Sequence, residues 1–477
     1  MKKDKKRLII IGIDGANFDV LNPFFEKNLL PNLAKFKNRA TLKSVLPPAT
    51  AVAWASFSTG NNPGKTEIYD FTIVDEDSWK INFLNRTRLC GKPLWKYLDQ
   101  GGIKSCFVNI PVTYPIDKIN GVIISGIETP STLHNYVHPP ELKSDLKKLG
   151  YEIEVSGLKS KKEDIVKEAL FIFDKRLKTV KFLLKKDFDF FIALFRVSDI
   201  VKHYAWGKEP VERVYKKIDE FIGEIRKDKD AEVVIISDHG FEKINYAFNT
   251  NAWLEREGYL KSNLKKSILS TFGIKRKRFY WILEKLNLNF LTKMVPRSLG
   301  KKIPTDKINF EEAILTNSVD LTKTKAIAKR AIKTSQIFLN KTKRGGIVSI
   351  DEENLLKQEI KQKLENYFQK QGIKAVVKTK EELYGSQAKY APDITLYLEE
   401  KGYDTYNFLS ADKKLWVPPT EKQDAEHNLY GVIFTDLDLD LENAKLIDIT
   451  PTILDYFEIE KGQFDGKSLW REKKDNQ

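Results

Sequence analysis

Glu232-Val233-Val234-Ile235-Ile236-Ser237-Asp238-His239-Gly240-Phe241 is the stretch on which the reading of this chain turns. Four consecutive branched apolar residues followed at once by Ser-Asp-His-Gly read as a strand buried on both faces, its carboxyl end delivering a carboxylate and an imidazole into a crevice. Open α/β sheets place their chemistry at such strand ends. Carboxylate oxygen and neutral imidazole nitrogen are both good ligands for zinc-like ions. Taken alone, the pair also reads as a strand-end Asp that caps a turn beside an incidental His, so the case rests on partners elsewhere.

Working outward, the same pattern recurs. Leu8–Ile13 is a six-residue apolar run that stops at Asp14-Gly15 without a small-residue cleavage site, so it reads as a first strand and not as a secretion signal. Ile103–Ile110, Val122–Ser125 and Phe188–Phe195 are further strands. Helical patterns cover Phe24–Lys37, Ala51–Phe57, Ser160–Lys185 and Glu209–Lys227. Strand alternating with helix predicts an α/β fold, a doubly wound and mostly parallel sheet with helices on both faces. Downstream, Ala326–Leu339 is expected to return to that sheet, and Asp351–Lys370 reads as a charged helix.

The composition shifts after about Tyr259. From Lys261 to Thr305 twelve Lys or Arg stand against one acid, Glu284, interleaved with Phe272, Phe279, Tyr280, Trp281 and Phe290. The expected organisation is therefore an α/β core in two parts, residues 1–260 and 316–477, interrupted by a basic helical insertion at 261–315. The insertion reads either as a lid helix pair whose lysines are solvated, or, over 261–305, as a peripheral contact with anionic membrane. A net charge of +15 makes anionic partners the natural class, and no specific nucleic-acid binding is predicted. Two cysteines, Cys90 and Cys106, are too few for a disulfide framework or a Cys-rich metal site, which together with the missing leader points to the cytoplasm.

Only five histidines are present, and three stand near carboxylates in the sequence or late in the chain: His203, His239 and His427. His203 follows Asp199 by four positions, so on a helix both side chains project from one face as a two-pronged metal arm. Thr50 follows Pro47-Pro48-Ala49 and precedes helix formers. That places it at a helix N-terminus, where free N–H groups and the helix dipole favour an anion.

These blocks carry a resemblance. Asp14 after the first strand, Pro47-Pro48-Ala49-Thr50 through Ser58-Thr59-Gly60 with Asn62-Pro63-Gly64-Lys65, Asp199-xxx-His203, Ser237-Asp238-His239-Gly240 and a late His427 stand in the order used by the alkaline phosphatase superfamily. Within it the chain most resembles the type I phosphodiesterase/nucleotide pyrophosphatase branch. The resemblance implies an alkaline phosphatase-like fold and a metal-dependent hydrolase of phosphate esters, acting on a small-molecule phosphodiester, nucleotide or pyrophosphate. It implies two divalent ions, zinc first with manganese or iron as alternatives. One would be held by Asp14, Asp238, His239 and the nucleophile Thr50, the other by Asp199, His203 and His427, and the reaction would pass through a phosphothreonine.

Two positions depart from the pattern. Thr66-Glu67 stand where relatives continue with His-Gly, and Glu426 and Asn428 flank His427 where relatives tend to carry Gly or Pro. Other functional readings of the same residues are a phosphotransferase or phosphomutase acting on a lipid or glycan carrier, and a non-catalytic anion-binding module. Lys202 and Lys65 are candidates for steering or holding the non-bridging phosphate oxygens, and a lysine on a solvated face is the plainer reading of each.

Overall fold

The computed structural model describes residues 6–75, 77–155, 161–263, 318–409, 413–419 and 424–471. The expected basic insertion falls almost wholly outside the described residues. Ala231–Ile236 is a strand, and it lies parallel to Arg7–Ile13 with Ile10 opposite Val234 and Gly12 opposite Ile236. Side chains alternate across a strand, so Ile9, Ile11, Ile13, Val233 and Ile235 enter one core while Leu8, Ile10, Val234 and Ile236 enter the other. Both faces need apolar residues because helices cover both.

The main sheet has eight strands among the described residues. Their order is Asn38–Lys43, Tyr430–Thr435, Ala231–Ile236, Arg7–Ile13, Phe190–Phe195, Ser105–Ile110, Gly121–Ser125 and Val137–His138. The five from Ala231–Ile236 to Gly121–Ser125 run parallel. Tyr430–Thr435 is antiparallel to both of its neighbours, and Val137–His138 is antiparallel at the other edge. Helices Lys162–Leu184, Val197–Ala205 and Glu209–Ile225 close one face, and helices Thr50–Thr59, Leu94–Gln100 and Ile449–Tyr456 close the other. The expected α/β, mostly parallel architecture with helices on both faces is what the chain adopts.

Two local expectations differ. Phe24–Lys37 is not one helix: the helix is Phe18–Glu26, and after Asn28, at φ +53°, and Pro31 only a short turn of helix forms at Leu33–Lys35. A left-handed residue and a proline both end a regular helix.

Ala326–Leu339 does not rejoin the main sheet. Ala326–Ala331 and Thr334–Leu339 form a hairpin inside a separate antiparallel sheet of order 326–331, 334–339, 394–398, 375–379. The two-residue link Ile332-Lys333, with Lys333 at φ +61°, is too short for the crossover that a parallel neighbour requires. Leu356, Ile360, Leu364 and Phe368 of helix Ile350–Lys370 seal this sheet with their own core. No helix among the described residues is long and apolar enough to cross a membrane.

Candidate active site

The carboxyl ends of three adjacent strands meet at one place. Arg7–Ile13 leads to Asp14, Phe190–Phe195 leads into the helix Val197–Ala205 that carries Asp199 and His203, and Ala231–Ile236 leads to Asp238 and His239. The fourth contribution comes from Ala425–Asn428, a strand antiparallel to Gly240–Lys243, which sets His427 opposite Phe241. Thr50 begins the helix Thr50–Thr59, after Ala49 in an extended conformation. That helix packs tightly on the first strand: a Cβ on Gly12 would lie 2.9 Å from the ring of Trp54.

All seven residues expected from the sequence lie within one connected cluster. Thr50 Oγ1 is 3.3 Å from His239 Nε2. The same nitrogen is 3.2 Å from Asp14 Oδ1 and 3.4 Å from Asp238 Oδ2. Asp199 Oδ1 is 2.9 Å from His427 Nε2 and 3.4 Å from His203 Nε2, and those two nitrogens are 3.1 Å apart. Two sets of donor atoms are close enough to share an ion, Asp199, His203 and His427 in one and Asp14, Asp199 and His239 in the other. Asp199 therefore joins both sets, where the sequence placed it in only one.

The imidazoles are oriented for ligation. His427 Nδ1 is 2.8 Å from the Pro48 carbonyl, His203 Nδ1 is 3.0 Å from that of Ala425, and His239 Nδ1 is 3.0 Å from that of Gly240. A carbonyl oxygen only accepts, so each Nδ1 must be the donor. In the neutral form that a metal requires, each Nε2 then has its lone pair aimed into the cluster.

The carboxylates need cations. Both oxygens of Asp14, Oδ1 of Asp199 and Oδ2 of Asp238 are buried without a hydrogen bond. Buried carboxylate oxygens left without hydrogen bonds are costly, and divalent ions bound by oxygen and nitrogen donors remove that cost. The residues present thus fit the two ions. The charges already act on one another. Burial and the Asp14 charge push the Asp238 carboxyl well above the usual range. Asp199 is held well below it by His203 and His427, although burial opposes this. His203 is raised to about 9, against the effect of burial, chiefly by the Asp199 carboxylate and then by Glu426. Burial and the neighbouring His427 lower His239.

Three contributors lie beyond the seven residues expected from the sequence. Lys202 is fully buried, not solvated, and its Nζ donates to the carbonyls of Asp14 and Gly15 and lies 3.3 Å from the Tyr215 hydroxyl. Burial lowers its ammonium to about 8, against the pull of Asp199, Asp14 and Asp238. Its signal was available, since Asp199, Lys202 and His203 stand at i, i+3 and i+4 on one helix face. Arg196, one turn before Asp199, has its Nε 3.4 Å from Asp14 Oδ2 and also pairs with Glu154. Glu426 lies beside His427. Lys65, by contrast, is on the surface and bonds Asp465 at 2.6 Å.

A cavity of about 690 Å³ opens onto Thr50, Asp199, His203 and His427, with Arg196 and Tyr204 in its wall. This volume suits a small-molecule ligand.

An alkaline phosphatase-like sheet with clustered carboxylates and imidazoles at its strand ends defines a metal-dependent hydrolase of phosphate esters. The chain belongs to the type I phosphodiesterase/nucleotide pyrophosphatase family, whose sequence profile matches residues 8–414.

Solved structures with this fold include phosphonoacetate hydrolase from Sinorhizobium meliloti 1021 in complex with phosphonoformate, at 14% identity over 95% of this chain and 96% of that one, TM-score 0.59. Human ectonucleotide pyrophosphatase/phosphodiesterase 5 aligns at 11% identity over 97% of each chain, TM-score 0.53. An inactive threonine-to-alanine variant of the murine protein, in complex with AMP, aligns at 11% identity over 97% of this chain and 98% of that one, TM-score 0.50. No curated protein matches the sequence.

Proposed function

We propose that the protein cleaves phosphodiesters or nucleotide pyrophosphates with Thr50 as nucleophile, through a phosphothreonine. The observation that carries this reading is the position of the Thr50 hydroxyl. It stands at the N-terminus of a ten-residue helix, 3.3 Å from His239 Nε2, in the wall of the cavity that Asp199, His203 and His427 also line. The helix terminus favours negative charge on that oxygen and on a phosphate beside it. An inactive threonine-to-alanine variant of the murine relative, bound to AMP, agrees with a threonine nucleophile and a nucleotide-sized site.

Asp14, Asp238, His239 and Thr50 would hold one divalent ion, and Asp199, His203 and His427 the other. When bound, the ions supply positive charge that favours the Thr50 alkoxide and offsets charge building on the phosphoryl group. Mixed Asp and His donors suit zinc, with manganese or iron as alternatives. Thr50 gives up its hydroxyl proton to solvent as Oγ1 attacks phosphorus, the bond to the leaving oxygen breaks, and the departing alcohol or phosphate takes a proton from solvent. Water then attacks the phosphothreonine. The P–Oγ bond breaks, Thr50 regains its proton and a phosphomonoester is released. Free Cys90 and Cys106 agree with a cytoplasmic setting.

The test is a comparison of a chromogenic diester, a nucleotide pyrophosphate and a monoester. Thr50→Ala should lower turnover of the first two by at least about three orders of magnitude while still taking up metal. Acid-quenched wild-type protein should yield a Thr50 peptide carrying the phosphoryl group still esterified to the retained alcohol or nucleoside. Undiminished metal-dependent turnover by Thr50→Ala would refute the assignment.

A further inference from the structure

Glu426 brings an additional carboxylate to the Asp199, His203 and His427 group. Its side chain is only 4% exposed, and Oε1 lies 3.8 Å from His427 Nε2 and 3.9 Å from His203 Nδ1. Donor atoms around a tetrahedral ion bound at about 2.1 Å stand about 3.4 Å apart. At 3.8 Å from His427 Nε2, Oε1 is near the spacing of a fellow ligand of that histidine, while His203 faces it with Nδ1, the nitrogen turned away from the cluster.

Glu426 is held away from it. Its Oε2 accepts a 2.6 Å hydrogen bond from Arg330 Nη2, and its Oε1 accepts one of 3.2 Å from the His427 backbone N–H. Arg330 is itself fixed. Nη2 also donates to Asp404 Oδ2 at 2.8 Å, Nε donates to the Thr405 carbonyl at 3.2 Å, and the guanidinium lies 5.1 Å from the centre of the Tyr406 ring. Arg330 belongs to Ala326–Ala331 of the smaller sheet, so this sheet reaches into the site of the larger one.

A catalytic ion needs an open coordination position, and a fourth protein ligand would close it. We propose that Arg330 is a positioning residue that withholds Glu426 from the Asp199, His203 and His427 group and so keeps the fourth position there open for substrate. This rests on reading that group as a metal site.

Replacing Arg330 with Met leaves Glu426 buried without its charged partner, and the ion becomes the nearest compensating charge. Metal affinity should then rise while kcat falls, each by about tenfold, the low end of what a partner behind the ligands commands. Structural damage alone would lower both. Metal-free protein titrated with Zn²⁺ or Mn²⁺ against a chromophoric chelator reads the affinity, and X-ray absorption counts the oxygen donors. Arg330→Met, made alone and also combined with Asp404→Asn so that Asp404 is not left as a buried unpaired carboxylate, should gain one oxygen donor. Adding Glu426→Gln should cancel both the gain and the tightening.

Glu426→Gln alone decides the matter even if neither arginine variant folds. It should bind metal within about threefold of wild type, whereas a loss of tenfold or more, the scale of a ligand or its partner, would mean that Glu426 already ligates. Metal uptake by the wild type with no tightening in Arg330→Met overturns this inference alone. No uptake by the wild type overturns the metal-site reading beneath it as well.

Discussion

The rings of His239 and His427 stack with centroids 3.6 Å apart and planes inclined by 17°. His239 Nε2 faces Asp14 while His427 Nε2 faces Asp199, so this stack is the seam between the two donor sets. Residues nearly two hundred positions apart in sequence are thereby made to share one electrostatic environment. Two cations cannot stack cheaply in a buried site.

Metal uptake should consequently release protons. Without metal, His203 keeps its proton up to about pH 9, because the Asp199 and Glu426 carboxylates outweigh burial. An ion at His203 Nε2 must displace the proton there at neutral pH, so affinity should climb as pH rises and level off only above about 9. The raised Asp238 carboxyl adds a contribution of the same sign. Calorimetric titration in buffers of different ionisation enthalpy measures the release, and heats that do not depend on the buffer at pH 7 would contradict this electrostatic account.

Lys202 should matter most when the ions are absent. Its ammonium satisfies the carbonyls of Asp14 and Gly15 and sits among three buried carboxylates. Lys202→Met removes both the donor and the compensating charge. Leaving the carbonyls unsatisfied alone costs about 1–3 kcal/mol. In the presence of chelator the variant should melt clearly below wild type, and saturating metal should narrow the gap because the ions replace the lost charge. Equal losses with and without metal would confine Lys202 to packing.

The strand-end residues were legible because local pattern places them. A branched apolar run followed by a carboxylate needs no distant information, and Asp199 with His203 needs only helical spacing. Lys202 had the same spacing, but lysine on a helix ordinarily faces water, and only the packing of helix Val197–Ala205 buries it. The hairpin at Ala326–Leu339 was hidden because its turn uses Ile332-Lys333, without the Gly or Asn that normally marks a left-handed turn. Arg330 and Glu426 are 96 residues apart, and nothing in either neighbourhood points to the other.

Gly12 links the fold to the site more directly than its place mid-strand suggests. A methyl group there would stand 2.8 Å from Leu194 and 2.9 Å from Trp54, both fully buried in the core. Gly12→Ala must push the helix that begins at Thr50 away from the strand that ends at Asp14. Overpacking of this kind costs about 1–3 kcal/mol, to be read from urea unfolding. Metal affinity should drop as well, since Asp14 and Thr50 are moved apart, and a variant as stable and as tight as wild type would mean that the interface yields freely.

Glu128 gives stability a pH dependence that owes nothing to metal. It lies between Ile127 and Thr129, which line the cavity, and both carboxyl oxygens are sealed from solvent. Burial pushes the group up to about 7, only partly opposed by nearby backbone amides and Arg196. The folded protein therefore holds this proton at pH values where the unfolded chain, titrating near 4.5, has released it. Between those values the native state binds more protons, so its stability is fully expressed below about pH 4.5 and is lost as the pH rises through about 7. The shift corresponds to at most about 3 kcal/mol. Glu128→Gln keeps the shape and cannot ionise. Chemical denaturation of the metal-free proteins across this range should show wild type losing ground to the variant as pH rises, and parallel curves would mean that water reaches the Glu128 carboxyl after all.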